Sequence, residues 1–412
     1  MSPADRLRKL PPAEPLAPAR SAYPLFLAGI GSWFTAWGMQ TVLFQWLVVE
    51  ELGESATRVG TAQMAVLLPS LLFLLVGGAV ADRVDRRRAL IGLHALAALA
   101  CGGFGLLIYA GALSYGRIIA YALLMGTLQS FVVPTRDALL SEVVKARMSR
   151  AVAGLTMVQQ GAQGVGALAA GLAGAWGAPL VLGIQSVVAL LGALPMRGLP
   201  RRPRESLEPR DPPHLRELRA GVIEVARSPV LRAVMGLNLS VGLVFVGSYL
   251  VILPLLVREL YGGGAGKMGL LAAALPAGSI VVHLGIVARG GIVRQGRALL
   301  LGQGFAGLAL GALAFGLPFW AAALATSGWG VGAAFAINAS RTLFQEHSSD
   351  PNRGRVLSIY SLGILGAGPV GALLAGFLSG RIGTLATLAL ESAAMSGIVV
   401  ATLLFTGVRR FR

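Results

Sequence analysis

The chain has 412 residues, 55% hydrophobic and 13% charged, with a formal net charge of +17. Soluble domains carry about 25% charged residues, so the composition excludes an ordinary soluble domain. The single cysteine, Cys101, excludes an intrachain disulfide and a cysteine-based zinc site, and inside an apolar run it reads as a buried bystander.

The first 22 residues are polar and proline-rich and lack the apolar core of a cleaved signal. They read as a cytosolic tail. Charge then vanishes over long stretches, among them 23–49, 159–196 and 298–338. Roughly 18 apolar residues suffice to cross a ~30 Å hydrocarbon core, and lipid leaves the backbone only helices or closed barrels. The runs are continuous rather than alternating, so they predict helices. Twelve are expected, at 24–49, 59–81, 89–110, 116–135, 152–176, 178–196, 232–257, 267–288, 298–316, 318–338, 356–379 and 383–407. The fold class is an all-α membrane protein.

An even number of spans puts both termini on one side. Of 35 Lys and Arg, 30 fall on that side; the other five are Arg58, Arg117, Arg258, Lys267 and Arg381. Basic residues concentrate in cytosolic loops, so both termini are predicted to be cytosolic. The same placement explains the net charge through topology and anionic lipid, with no nucleic acid invoked.

The one long polar connection, 197–231, begins too rich in proline for helix. Its second half (HLRELRAGVIEVARSPVLR) sets Leu215, Leu218, Val222 and Val225 on one face, with Arg216, Arg219 and Arg227 off it. That pattern predicts an amphipathic helix at the cytosolic interface. The loop separates a six-helix half at 23–196 from a second at 232–407, and a short cytosolic tail follows at 408–412.

The halves are self-similar. Shifted by 205, residues 136–171 align with 341–376 without a gap and ten of 36 positions are identical. Arg136 with Arg341 and Arg150 with Arg355 are the informative matches, because arginine is scarce near spans. Two pseudo-symmetric six-helix halves are a transporter architecture. Both fifth spans carry small residues every fourth position: Ala162, Gly166, Ala170, Gly174 and Gly363, Ala367, Gly371, Ala375. Such spacing lets helices pack closely, either as a static seam or as a surface that slides.

Between the second and third spans stands GGAVADRVDRRRAL at 77–90. Its Gly78, Asp82, Arg83, Arg86 and Arg87 resemble the signature loop of the major facilitator superfamily, with Asp85 where that pattern usually has glycine. The form DRVDRRR, LQSFVVPTRDALL at 128–140 and the segment 218–232 resemble the branch containing the enterobactin exporter and macrolide-efflux-like proteins. The resemblance implies a latch. When the cytosolic side is closed, Asp82 would face the N-terminal end of the eleventh helix, whose partial positive charge attracts a carboxylate, with Arg355 adding an ion pair. Arg83, Arg86 and Arg87 would hold the halves together or meet lipid headgroups. Exposed pairs contribute about 0–1 kcal/mol each, weak enough to open. After the eighth span Arg289 stands where the equivalent carboxylate would fall, so the latch is one-sided. Two features depart from proton-coupled relatives. The only arginine seen for span four is Arg117, at its outer edge, and the Gly368-Pro369 pair lies in span eleven rather than five.

Ionisable groups within spans are functional candidates. Glu391 and His283 are the candidates for proton coupling, against the alternatives of an interfacial residue and a packing histidine. Substrate sites in such folds lie near the midplane between halves. Candidates there are Trp33, Trp37, Gln40 and Phe44 on one face of span one, Gln129 in span four, Gln159 and Gln163 in span five, Asn238 in span seven and Asn338 in span ten. Aromatic faces and amides suit a bulky, partly polar organic molecule; interhelical hydrogen bonding is the alternative. The run GGGAGKMG at 262–269 lacks the first glycine and the Ser or Thr of a phosphate loop. No nucleophile elbow or metal-ligand spacing is present, so no enzyme activity, metal or cofactor is expected.

The resemblance implies a secondary exporter in a bacterial cytoplasmic (inner) membrane. It would move an amphiphilic small organic molecule, such as a siderophore-like metabolite or a drug, by alternating access, with proton coupling. The expected partners are that substrate, protons and anionic membrane lipids, and a monomer is expected. An importer or lipid flippase on the same fold remains open, as does a non-transporting membrane sensor.

Overall fold

The computed structural model describes residues 22–144, 148–200, 215–289, 291–349 and 352–411, excluding the side chains of 74–83, 149, 215–218, 220 and 353. The fold is all-helical. The first six spans are Ala22–Trp46 continued by a π-helical turn at Leu47–Glu51, Ala56–Arg83, Arg86–Tyr109, Tyr115–Val143, Met148–Ala170 and Ala178–Met196. The second six are Pro229–Leu260, Ala265–Arg289, Gln295–Leu313, Phe319–Glu346, Arg353–Ile382 and Thr384–Phe405. Among the described residues, nine of these are long and apolar enough to cross a membrane by length and composition. The face carrying the chain ends is called the terminal face below, and the opposite one the distal face.

Spans 3, 6, 9 and 12 present bare leucines outward: Leu99 is 72% exposed and Leu308 66%. Apolar side chains facing out would be unstable in water but are at home in hydrocarbon. Each half packs in the same pattern. Span 1 lies on 5 and 6, span 2 on 4, and span 3 on 6. Correspondingly, span 7 lies on 11, span 8 on 10, and span 9 on 10 and 12. The turn before span 6 and the turn before span 12 are also equivalent. Gly177 (φ 78°) and Gly383 (φ 86°) each adopt a left-handed conformation closed to other residues without strain.

Both small-residue stripes make close seams within their own half. A Cβ on Gly166 would lie 2.0 Å from the Thr35 carbonyl of span 1, and one on Gly371 would lie 2.3 Å from the Gly242 carbonyl of span 7. Contact between halves uses other glycines, near the distal face. A Cβ on Gly376 would lie 2.5 Å from the Ala56 carbonyl, and one on Gly269 would lie 2.5 Å from the Ala167 carbonyl. Spans 2 with 11 and 5 with 8 therefore touch tightly there.

The middle loop contains a helix, Leu215–Arg227. It lies against the start of span 11: a Cβ on Gly221 would be 3.1 Å from the Arg355 carbonyl. Val225 is buried in this contact, whereas Val222 is exposed.

Candidate functional site

A cavity of about 560 Å³ separates the halves, walled by spans 4 and 5 on one side and 8 and 10 on the other. It opens on the terminal face, where Ser141, Met148 and Arg341 are exposed. Arg136 organises the first wall. Its guanidinium pairs with Asp137 at 2.8 Å, donates to Gln159 Oε1 at 2.9 Å and lies 5.3 Å from the Phe34 ring centroid. One planar cation thus ties spans 4, 5 and 1 together. The opposite wall carries His283 and Arg341. His283 Nδ1 bonds the Ser279 carbonyl at 2.7 Å, and its Nε2 meets the Asn338 amide nitrogen at 3.2 Å. That pairing assigns the proton to Nδ1 and makes Nε2 the acceptor. Arg341 makes no hydrogen bond or ion pair among the described residues.

Deeper in, Gln160 Nε2 donates to Ser279 Oγ at 3.1 Å across the halves and narrows the cavity. Beyond lies a chamber of about 150 Å³, lined by Trp37, Thr41, Gln163, Tyr249, Leu275 and Pro276 among others.

The distal end is sealed. Glu50 accepts from the Gly264 backbone N–H at 2.7 and 2.9 Å. Arg258 Nη1 donates to the carbonyls of Val49 (3.1 Å) and Glu54 (2.9 Å). All of these bonds cross from one half to the other. The glycine run at 262–264 takes positive φ of 72°, 73° and 104°, a path only glycine follows readily, and presents an amide to an anion. That anion is the protein's own Glu50.

The signature loop is described in part. Gly78, Asp82 and Arg83 lie outside the described side chains. Asp85 caps span 3, its Oδ1 accepting from the Arg88 N–H at 3.1 Å, so the residue that replaces glycine starts a helix. Arg86 pairs with Glu142 at 2.6 Å and bonds the Ala138 carbonyl, while Arg87 bonds the Arg197 carbonyl. These contacts tie span 3 to spans 4 and 6 inside one half.

Among the described side chains, a carboxylate at the start of span 11 is Glu224 of the middle-loop helix. It accepts from Ser349 N–H at 2.7 Å, Ser349 Oγ at 2.9 Å and Asn352 Nδ2 at 2.8 Å, and Asn352 Oδ1 accepts from Arg355. Burial pushes the Glu224 carboxyl up, but the three hydrogen bonds outweigh it and hold the pKa below the usual value. A depressed pKa adds stability that is complete above the ordinary carboxylate range and lost as pH falls through the depressed value. Hydrogen exchange across 215–227, taken relative to the intrinsic rate at each pH, should therefore be unchanged from pH 7 to 5 and rise only below about pH 4. Glu224→Gln should raise it at pH 7. Exchange indifferent to that substitution would show that the helix docks without Glu224.

Four of the eight substrate-cavity candidates lie in helix packing instead. Trp33 is 2% exposed and donates to Gln129 Oε1 at 2.8 Å, with its ring edge on His94. Gln40 is buried, accepting from Tyr121 and Gln185. Asn238 is buried with Nδ2 unbonded. A helical stripe shows which residues share a face. In a span enclosed by other helices, it does not show whether that face meets a cavity. Gln159 lines the cavity, Trp37 and Gln163 line the inner chamber, Gln129 is half-buried behind Trp33, and Asn338 reaches the cavity through His283. Glu391 is away from the cavity, buried against Ser248 Oγ, which donates to it.

Arg136, Asp137, Tyr249, Ser279 and Arg341 were not among the sequence candidates. The repeat held a signal, since Arg136 and Arg341 are its equivalent arginines and line opposite walls of the cavity. Span 4 runs to Val143, so Arg136 is an arginine within that helix, and Arg117 is not the only one in span 4.

Two six-helix halves around a cavity open on one face and sealed on the other define a membrane transporter. Residues 25–363 match the family model of the Major Facilitator Superfamily, and the chain belongs to that superfamily. Among solved structures, the nucleoside transporter NupG matches with a TM-score of 0.69 at 13% identity, over 93% of this chain and 98% of that one. The POT family transporter PepTSo matches with a TM-score of 0.72 at 13% identity, over 96% and 98%. The human organic anion transporter MFSD10 (TETRAN) matches with a TM-score of 0.66 at 16% identity, over 93% and 99%. At these identities the likeness establishes the fold. No curated protein matches the chain significantly.

Proposed function

We propose that the chain is a secondary exporter of amphiphilic organic molecules, working by alternating access in a bacterial cytoplasmic membrane with both termini in the cytosol. The observation that carries this is the cavity of about 560 Å³, open on the arginine-rich terminal face while Glu50, Gly264 and Arg258 seal the other. A mixed lining of guanidinium, amides, imidazole and aliphatic side chains suits a molecule with a polar head and an apolar body. The DRVDRRR form of the signature loop supports placement near the enterobactin exporter and macrolide-efflux-like proteins. Proton coupling is part of the proposal. His283 is the carrier that cavity water reaches, whereas Glu391 is packed away from it.

The test is to identify the compound that accumulates in cells lacking the protein, then follow it in everted vesicles. Uptake into such vesicles that collapses with the proton gradient, and that His283→Gln makes insensitive to pH, is the expected result. Depletion of a compound in the deleted cells would mark an importer, and a defect confined to lipid asymmetry would mark a flippase.

A further inference from the structure

The cavity's charges do not balance. Four titratable groups line it: Arg136, Asp137, His283 and Arg341. Asp137 is committed to Arg136 at 2.8 Å. His283 is held between Ser279 and Asn338. Arg341 remains, exposed to the cavity and without a hydrogen bond or ion pair among the described residues. A guanidinium offers five donors in a fixed fork that matches carboxylate, sulfonate or phosphate. Apolar side chains line the same cavity, at Leu140, Val152, Leu155 and Ile337.

Symmetry adds a second reason. Arg136 and Arg341 are equivalent positions of the repeat and stand on facing walls. Alternating access requires those walls to approach when the terminal face closes. Two guanidinium groups brought together in a drying cavity repel, increasingly so as the local dielectric falls. An anion between them would reverse the sign of that interaction. Such a ligand binds the closed form better than the open one, which is the condition for driving closure.

We propose that this cavity takes organic anions, with the charged group of the cargo held by Arg341 and reaching toward Arg136–Gln159, and its apolar body against Val152, Leu155 and Ile337. This rests on the proposed transport function but is tested by binding at equilibrium, which does not depend on the direction of transport. The export reading can therefore fail in vesicles while the binding result stands, and the reverse holds equally.

The purified full-length protein in neutral detergent is titrated with 2-naphthalenesulfonate and with the matched cation 2-naphthyltrimethylammonium, reading the unfolding temperature. The sulfonate should raise it and the cation should not. Arg341→Gln should weaken apparent sulfonate affinity about tenfold or more. Arg341→Lys should recover part of it, and Arg117→Gln, at the distal end of span 4, should match the parent. Added phosphatidylglycerol that competes with the sulfonate would identify a lipid headgroup as the anion, and absence of competition a soluble one. No sulfonate binding, equal binding of the cation, or binding unaffected by Arg341→Gln would overturn the proposal.

Discussion

Arg136→Ala should abolish transport while the protein still inserts and folds. The side chain is buried over Phe34, and its main contribution is bonds. It holds Gln159 of span 5 at 2.9 Å and Asp137 at 2.8 Å, with Phe34 of span 1 beneath. A hydrogen bond to a charged group contributes about 1.5–3 kcal/mol, and each 1.4 kcal/mol is about tenfold in a population. The Asp137 pair adds little, because Asp137 is 57% exposed and solvent screens it. Loss of the Gln159 bond alone should reduce the competent cavity geometry roughly ten- to hundredfold. Arg136→Lys should restore little, since an ammonium is a point charge and cannot bridge two residues with fixed geometry. The measurement is the initial rate of uptake into everted vesicles at matched protein levels. Activity above half of the parent in Arg136→Ala would mean the cavity does not depend on this hub.

The second large effect concerns the distal seal. Combining Glu50→Gln with Arg258→Gln removes the charge from both sets of interhalf bonds there. At the lower end of about 1.5–3 kcal/mol for each charged bond, the loss should move the equilibrium toward a distally open form at least tenfold. The chain is its own background for a thiol assay. Cys101 is its only cysteine and is fully buried. A reporter at Thr41→Cys, on the inner chamber, should react with a membrane-impermeant reagent from the distal side in the double variant and scarcely in the parent. Equal labelling in both would show that the seal lies elsewhere, in the glycine contacts of spans 2 with 11 and 5 with 8.

The spans were legible because a membrane helix must be apolar over its whole length, and a run of that kind has few other meanings. The site was less so, for reasons visible at particular residues. Arg136 was read as the start of a loop because a charge ended the apolar run, yet the helix continues to Val143 and Asp137 and Gln159 make the charge tolerable there. Trp33 and Gln40 share a face with Trp37, and only the packing of spans 3, 4 and 6 decides which of them touches the cavity. Glu224 and Gly264 bond partners 125 and 214 residues away, a distance no local pattern reports. The glycine run at 262–264 was set aside as a failed phosphate loop, and it binds a carboxylate instead.

Span 1 ends in a π turn at Leu47–Glu51, and span 7, its counterpart in the repeat, carries two, at Val241–Val246 and Ser248–Ile252. A π turn holds one residue more than an α turn. Reverting to α-helix would turn everything beyond it by roughly 100°. Glu50 belongs to the first of these turns, so rewinding there would swing its carboxylate off Gly264 with no bond chemistry altered. Ser248 opens the third, so its bond to Glu391 depends on register in the same way. The distal seal and the buried carboxylate of span 12 can thus be released by helix rotation as well as by the tilt of one half against the other.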